Sequence, residues 1–421
     1  MIFIKAISRR TTAHYKGELK DISRLILRGE LKEGTYIKQF EERFAKYVGV
    51  KYAITVASGR LGLFLILDTL SLDKDSEVIM PSYTHESVPA TVKMLGLEPI
   101  FVDIDRNTHN IDHDLIEGKI GQKTRAIIAT HLFGRPCDIS RIMEIAHRYK
   151  LIVIEDCAQS IGAAYNAQRV GSFGKAAYFS FGITKPLNTF GGGMITTDDY
   201  ELYQKIKNKI SDFEYVRVLS LMKNVAISYC LRLITRPFIF SLLIFPQLLL
   251  LSLFNKDMIN LYNKTVKSAI NFGKAKVKYT NMQALVGIAQ LSNFDAANEK
   301  CIRNAKLLKR CLDKQITILK DDGTAKPVYY FFVVVAKDIT ALSKKLLVKG
   351  IDTGKYIMND CAAIYGKGAA CPVSGDALEN NLQIPIYPEL DERGIVYIAD
   401  VLNRAYRAAG REAVNKTYDQ K

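Results

Sequence analysis

No CxxC pair and no Gly-x-x-x-x-Gly-Lys-Ser/Thr phosphate loop occur in this chain of 421 residues. The seven cysteines (Cys137, Cys157, Cys230, Cys301, Cys311, Cys361, Cys371) are odd in number and widely scattered. That argues against a disulfide framework and a zinc site, so reduced thiols and no metal are expected. Without the phosphate-loop spacing, the ATP-type reading fails. The opening "MIFIKAISRRTTAHYKGELK" has Arg9 and Arg10 but no apolar h-region after them, so it does not read as a secretory or twin-arginine signal. A cytoplasmic location is expected. Internal repeats and low-complexity tracts are also missing. Acidic residues are few, 43 against 59 basic ones, and the net charge of +16 calls for an anionic partner or surface. Nucleic acid would satisfy that charge, but no recognition motif accompanies it and none is expected as a partner.

What the chain does have, from about residue 50 to 200, is short apolar runs alternating with helix-length amphipathic segments. "YAITV", "EVIMPS", "PIFVDID", "RAIIATHLF", "LIVIEDCA", "AYFSF" and "GMITT" are strand candidates, most of them apolar on both faces. This pattern predicts an α/β fold with a mostly parallel sheet covered by helices. Polar residues collect just after these runs, where ligands bind in open α/β sheets. From about 325 onward, "VYYFFVVVA", "ITALSKKLLVKG", "LQIPIYPEL" and "ERGIVYIADVLNRAY" predict a smaller α+β domain.

The stretch "SFGITKPLNTFGGG", residues 180 to 193, holds one lysine in uncharged surroundings. Lys185 reads as a solvated side chain, a phosphate ligand or an activated amine. Asp156 ends the apolar run "LIVIED" 29 residues earlier; alone it reads equally as a helix cap. Together they open another possibility. Pyridoxal phosphate needs a lysine amine for its imine, an acid beside its ring nitrogen, a stacking ring and a phosphate cup. Gln159 is placed to reach the ring hydroxyl, His85 to stack, Ser180 to add a hydroxyl, and "VASGR" to present backbone N–H groups at a helix start. Each of these residues has an ordinary local reading as well.

The ordered set "FEERFAKYVGVKYAITVASG", "EVIMPSYT", "GLEPIFVDID", "THLFGRPCDI", "IEDCAQSIGA", "VGSFGKAAYFSFGITK", "GGGMITT", "QALVGIAQL" and "CPVSGDALENNLQIPIYPEL" resembles the DegT/StrS-type sugar aminotransferases. The resemblance spans the chain apart from its first 30 residues and residues 213–275. It implies a fold-type I pyridoxal phosphate enzyme that moves an amino group, with glutamate as donor, to a keto-sugar carried on a nucleotide, for cell-surface polysaccharide or glycolipid synthesis. It implies Lys185 as the cofactor lysine, Asp156 as the ring-nitrogen partner and Gln159 at the ring oxygen. Ser180 with Ser58, Gly59 and Arg60 would form the phosphate cup, and His85 would stack. It also implies a homodimer, with Lys276 near the neighbour's phosphate. Three departures stand out. Arg60 replaces a hydroxyl residue, Lys276-Val277-Lys278 replaces Asn-Tyr-Arg, and Phe190-Gly191-Gly192-Gly193 lacks the usual glutamate. These departures motivate an alternative, a membrane-bound sensor or scaffold that has lost turnover.

"PFIFSLLIFPQLLLLSLF", residues 237–254, carries no charge, and from 256 to 278 six lysines stand against one acid. A single membrane span is excluded topologically, because the segments on either side must complete one active site. Pro237 and Pro246 interrupt helix continuity as well. The expected element is re-entrant or in-plane, on the anionic inner face of the cell membrane, with packing against protein as the other reading. The expected divisions are an N-terminal segment (1–33), a cofactor domain (34–212), an apolar and basic insertion (213–275), and a dimer helix with a small domain (276–421).

Overall fold

In the computed structural model the described residues are 6–253, 276–321, 323–356, 358–366 and 370–418. Seven strands form the central sheet: β1 (Tyr52–Val56), β2 (Glu77–Pro81), β3 (Glu98–Val102), β4 (Thr124–Thr130), β5 (Ile152–Asp156), β6 (Ala176–Ser180) and β7 (Gly193–Thr197). Their order is β1-β7-β6-β5-β4-β2-β3, and only the two pairings of β7 are antiparallel. Every expected run became a strand, within a few residues at its ends. The continuous apolar character follows from burial on both sides. Ala126, Ile128 and Ile154 enter one core with the helix Gly59–Leu70. Ile127, Ala129 and Val153 enter another with the helix Ile139–Tyr149. The α/β expectation is met.

Helix starts follow their capping residues. Ser58, Asp138 and Asp199 each accept a backbone N–H from the first turn they cap, and Thr280 with Gln283 forms a reciprocal capping box at Asn281–Leu291. The C-terminal part has its own three-stranded antiparallel sheet, with Phe332–Val335 between Thr317–Ile318 and Asn381–Ile384. Its apolar face packs with residues of the helices Phe294–Cys311, Ile339–Val348 and Glu392–Tyr418.

The apolar segment divides its surface. Val218–Ile234 is a helix whose Leu221 and Val225 pack with Phe190, Ile22 and Leu25. Beyond it, Phe240 and Phe245 are buried with Ala6, and Ser241 Oγ accepts the Ala6 N–H at 2.8 Å. Phe238, Leu242, Leu243 and Leu250 point outward, each more than half exposed. Among the described residues no single helix is long and apolar enough to cross a membrane; Val218–Ile234 and Pro237–Ser252 meet at a bend of 70°. Lys256, Lys264, Lys267 and Lys274 lie outside the described residues.

Candidate active site

Strands β5 and β6 lie side by side and parallel, with Asp156 opposite Tyr178. After β6 the chain turns, Lys185 N–H donating to Gly182 O at 2.8 Å. The Lys185 side chain thereby returns over the strand ends, where its Nζ donates to Ala158 O at 2.7 Å and stands 4.9 Å from the centre of the Tyr330 ring. Lys185 and Asp156, separated in sequence, thus share one cavity of about 230 Å³. Gly59, Arg60, His85, Gln159 and Ser180 also line it. Seven of the nine residues expected at the site are therefore brought together.

The two others stand apart. Ser58 is the helix cap, its hydroxyl accepting the Leu61 N–H at 3.2 Å, and it does not line the cavity. Lys276 is 5.2 Å from the ring centre of Phe64 on this chain and is likewise not in the cavity wall.

Several side chains are held in fixed orientations. Gln159 Oε1 accepts the Phe133 N–H at 2.9 Å, and its amide nitrogen donates one hydrogen to Met358 Sδ at 3.6 Å, which leaves the second for a ligand. His85 Nδ1 accepts the Ser87 N–H at 3.2 Å, which leaves the proton of the neutral ring on Nε2. Although the His85 ring opens onto the cavity, enclosure by the surrounding protein holds its pKa low, and the Lys185 and Arg60 cations add to this. Burial raises the Asp156 carboxyl, against the lowering by Tyr178, the Ala158 N–H and Lys185. A cation placed beside it would favour the charged carboxylate.

Behind the site, Glu155 accepts N–H groups from Gly171, Phe173 and Gly174 at 2.7 to 2.9 Å and meets His131 Nε2 at 3.1 Å. Glu155, His131 and Cys157 lie close enough to hold a metal ion. Both Glu155 oxygens already accept hydrogen bonds, however, and the group acts as a brace fixing the end of β5.

The cavity fits a polar planar group on an observation independent of the motif. Thr130 Oγ1 is buried without a hydrogen-bond partner and its residue lines the cavity, where Tyr178 faces the Asp156 carboxyl. Such orphans are rare and mark a place for a polar ligand or water. A Cβ on Gly59 would come within 3.2 Å of Phe179 O and Ser180 Cβ, so glycine allows the helix start to approach β6 closely. The N–H groups of that helix start suit a phosphate.

The departure at Phe190 to Gly193 lies away from the cavity. Phe190 is fully buried with Ile22, Leu221 and Val225. Gly191 lies outside the cavity, facing Asn224 and Gln283, so the absent glutamate leaves no gap in its wall. The sequence reading missed Thr130, Tyr178, Tyr330 and a buried network that ties the Lys185 loop to the apolar helix. In that network Asn188 Nδ2 donates to Ser228 Oγ at 2.8 Å, and Ser228 meets His14 Nε2 at 3.1 Å. These residues lie on unrelated parts of the sequence and carry no local motif.

The DegT/DnrJ/EryC1/StrS aminotransferase family matches residues 13–234 and 245–403, and so runs through most of the segment read as an insertion. A GDP-perosamine synthase from Escherichia coli O157:H7 is 28% identical over 379 residues, 89% of this chain and 91% of that protein. The UDP-N-acetyl-3-dehydro-alpha-D-glucosamine 3-aminotransferase of Acidithiobacillus ferrooxidans is 30% identical over 373 residues, 88% and 89% of the two chains. Among solved structures, the aminotransferase TlmJ from Streptoalloteichus hindustanus superposes with a TM-score of 0.77 at 20% identity, covering 96% of this chain and all of that one. At that identity the likeness concerns the fold.

Proposed function

This chain belongs to the DegT/DnrJ/EryC1/StrS aminotransferase family, and from that premise we propose that it transfers an amino group from an amino acid, with glutamate as donor, to a keto-sugar carried on a nucleotide, using pyridoxal phosphate. The observation that carries the proposal is the convergence of Lys185, Asp156 and the unpartnered Thr130 hydroxyl in one cavity. The names of the relatives, which make or use GDP- and UDP-linked sugars, support the substrate class.

When bound, the cofactor would supply an electron sink for breaking the Cα–H bond of the donor. Lys185 Nζ would hold it and then, once displaced by the donor, take the Cα proton and return a proton on the sugar side. Asp156 would keep the ring nitrogen protonated. Gln159 Nε2 would donate to the ring oxygen and the His85 ring would lie against the ring face. Gly59, Arg60 and Ser180 would receive the phosphate. Retention of both Lys185 and Asp156 favours turnover over a sensor. The direct test adds L-glutamate alone to the purified protein and follows the cofactor's visible absorbance. Conversion by glutamate is expected, and a spectrum unmoved by glutamate or any other amino acid would contradict the transfer reaction.

The same reading includes a homodimer, in which Lys276 approaches the neighbour's phosphate, and contact with an anionic membrane face. Supporting the second, residues 215–253 contain Arg217, Lys223, Arg232 and Arg236 and no acid, beside the outward Phe238, Leu242, Leu243 and Leu250. Basic residues near such a surface contribute about 1 kcal/mol each. The 70° bend suits an element lying in the interface.

A further inference from the structure

A second, larger cavity of about 470 Å³ adjoins the first and shares Ala158, Gln159 and Lys185 with it. A molecule within it has direct access to the Lys185 amine. Most of its charged lining residues are already committed or peripheral. The Arg9 side chain forms two hydrogen bonds to Asp352, from Nε at 2.8 Å and Nη2 at 2.7 Å. His14 is paired with Glu18. Lys300 and Glu389 are exposed residues of the rim.

Arg10 differs from these. Its guanidinium carbon lies 5.3 Å from the ring centre of Phe331, and the residue is half-buried. Among the described residues its side chain has neither a carboxylate partner nor a hydrogen bond. The Phe331 ring centre is 4.1 Å from that of Tyr330, and Tyr330 in turn stands beside Lys185 Nζ. Arg10 is therefore two aromatic rings away from the reactive amine. A guanidinium stays charged, stacks on aromatic faces and presents five donors in a planar fork. Held against Phe331 with its donors unclaimed, it matches the oxygens of a carboxylate or phosphate.

We propose that Arg10 recognises the anionic oxygens of a substrate in this cavity, either the diphosphate of a nucleotide sugar or the carboxylate of the amino donor. The proposal rests on Lys185 as the reactive amine, but its test reads binding rather than turnover. Isothermal titration of the holoenzyme would use UDP, GDP, TDP and inorganic pyrophosphate in one arm and glutarate, a dicarboxylate with no amino group to transfer, in the other. Arg10→Gln is expected to weaken at least one arm tenfold or more, and Arg10→Lys to retain part of the affinity. The arm that weakens identifies the anion. Arg10→Met preserves the stem over Phe331 and serves as the second variant if Arg10→Gln does not fold. Affinities within twofold of wild type in both arms, or no wild-type binding of any probe, would overturn the proposal. Loss of diphosphate affinity in a protein whose Lys185 holds no cofactor would instead remove the Lys185 reading and leave Arg10 as an anion site.

Discussion

Lys185 and Asp156 have distinct duties, and their substitutions should separate. Lys185→Ala is expected to abolish covalent attachment of the cofactor and turnover together. Asp156→Asn should retain cofactor but lower kcat by roughly 10²–10⁴-fold, measured by single-turnover mixing with L-glutamate. A second prediction concerns pH. Burial holds the His109 imidazole down at about 4, where Asp105 opposes the drop and Arg135 and Arg106 reinforce it. Between pH 6.5 and 4 the unfolded chain would bind a proton at this position that the folded chain refuses, so stability falls as pH falls through that window. His109 has φ +59°, a conformation asparagine tolerates. His109→Asn should therefore flatten the fall in urea midpoint between pH 6.5 and 4, and an unchanged slope would contradict it. The principal site residues were legible in sequence because Asp156 and Ser180 end their strands and Gln159 and Lys185 follow within a few residues. Thr130 was not, because its significance is an unsatisfied hydroxyl that only the folded cavity reveals, and Tyr178 was not, because only the parallel pairing of β5 and β6 brings it opposite Asp156.

Among the elements, the strands were the most legible, since runs such as "RAIIAT" are apolar on both faces only in a covered parallel sheet. The apolar segment was the least legible. Composition cannot tell Phe240, buried with Ala6, from the outward Phe238 two residues before it. That division dictates the experiment. Deleting residues 237–254 would remove Phe240 and Phe245 from a core, whereas Phe238→Ser, Leu242→Ser, Leu243→Ser and Leu250→Ser combined change the exposed face alone. The combined variant should fold and lose sedimentation with phosphatidylglycerol vesicles that the wild type shows; equal sedimentation of both would end the membrane reading. The glycine run gives a further test. At Gly192, φ is +111° and a Cβ would lie 2.3 Å from the Tyr279 ring. Gly192→Ala should destabilise by about 1–3 kcal/mol, read from urea unfolding.

For the whole molecule, one central sheet, one small domain and two adjoining cavities describe the chemistry, while Lys276 remains outside both cavities of its own chain. The proposed dimer gives it a role. Sedimentation equilibrium should return twice the chain mass of 47.3 kDa, and Lys276→Ala should weaken cofactor retention without changing that mass. A monomer fully loaded with cofactor would contradict this arrangement. The charge of +16 was legible from composition, but where it lies on the folded surface was not. The account's central claim is that the Lys185 amine holds pyridoxal phosphate. Its most direct measurement is borohydride reduction of the purified protein followed by peptide mass spectrometry. The account predicts the reduced cofactor on the peptide containing Lys185 and none in Lys185→Ala. Cofactor fixed to a different lysine, or retained covalently by Lys185→Ala, would contradict it.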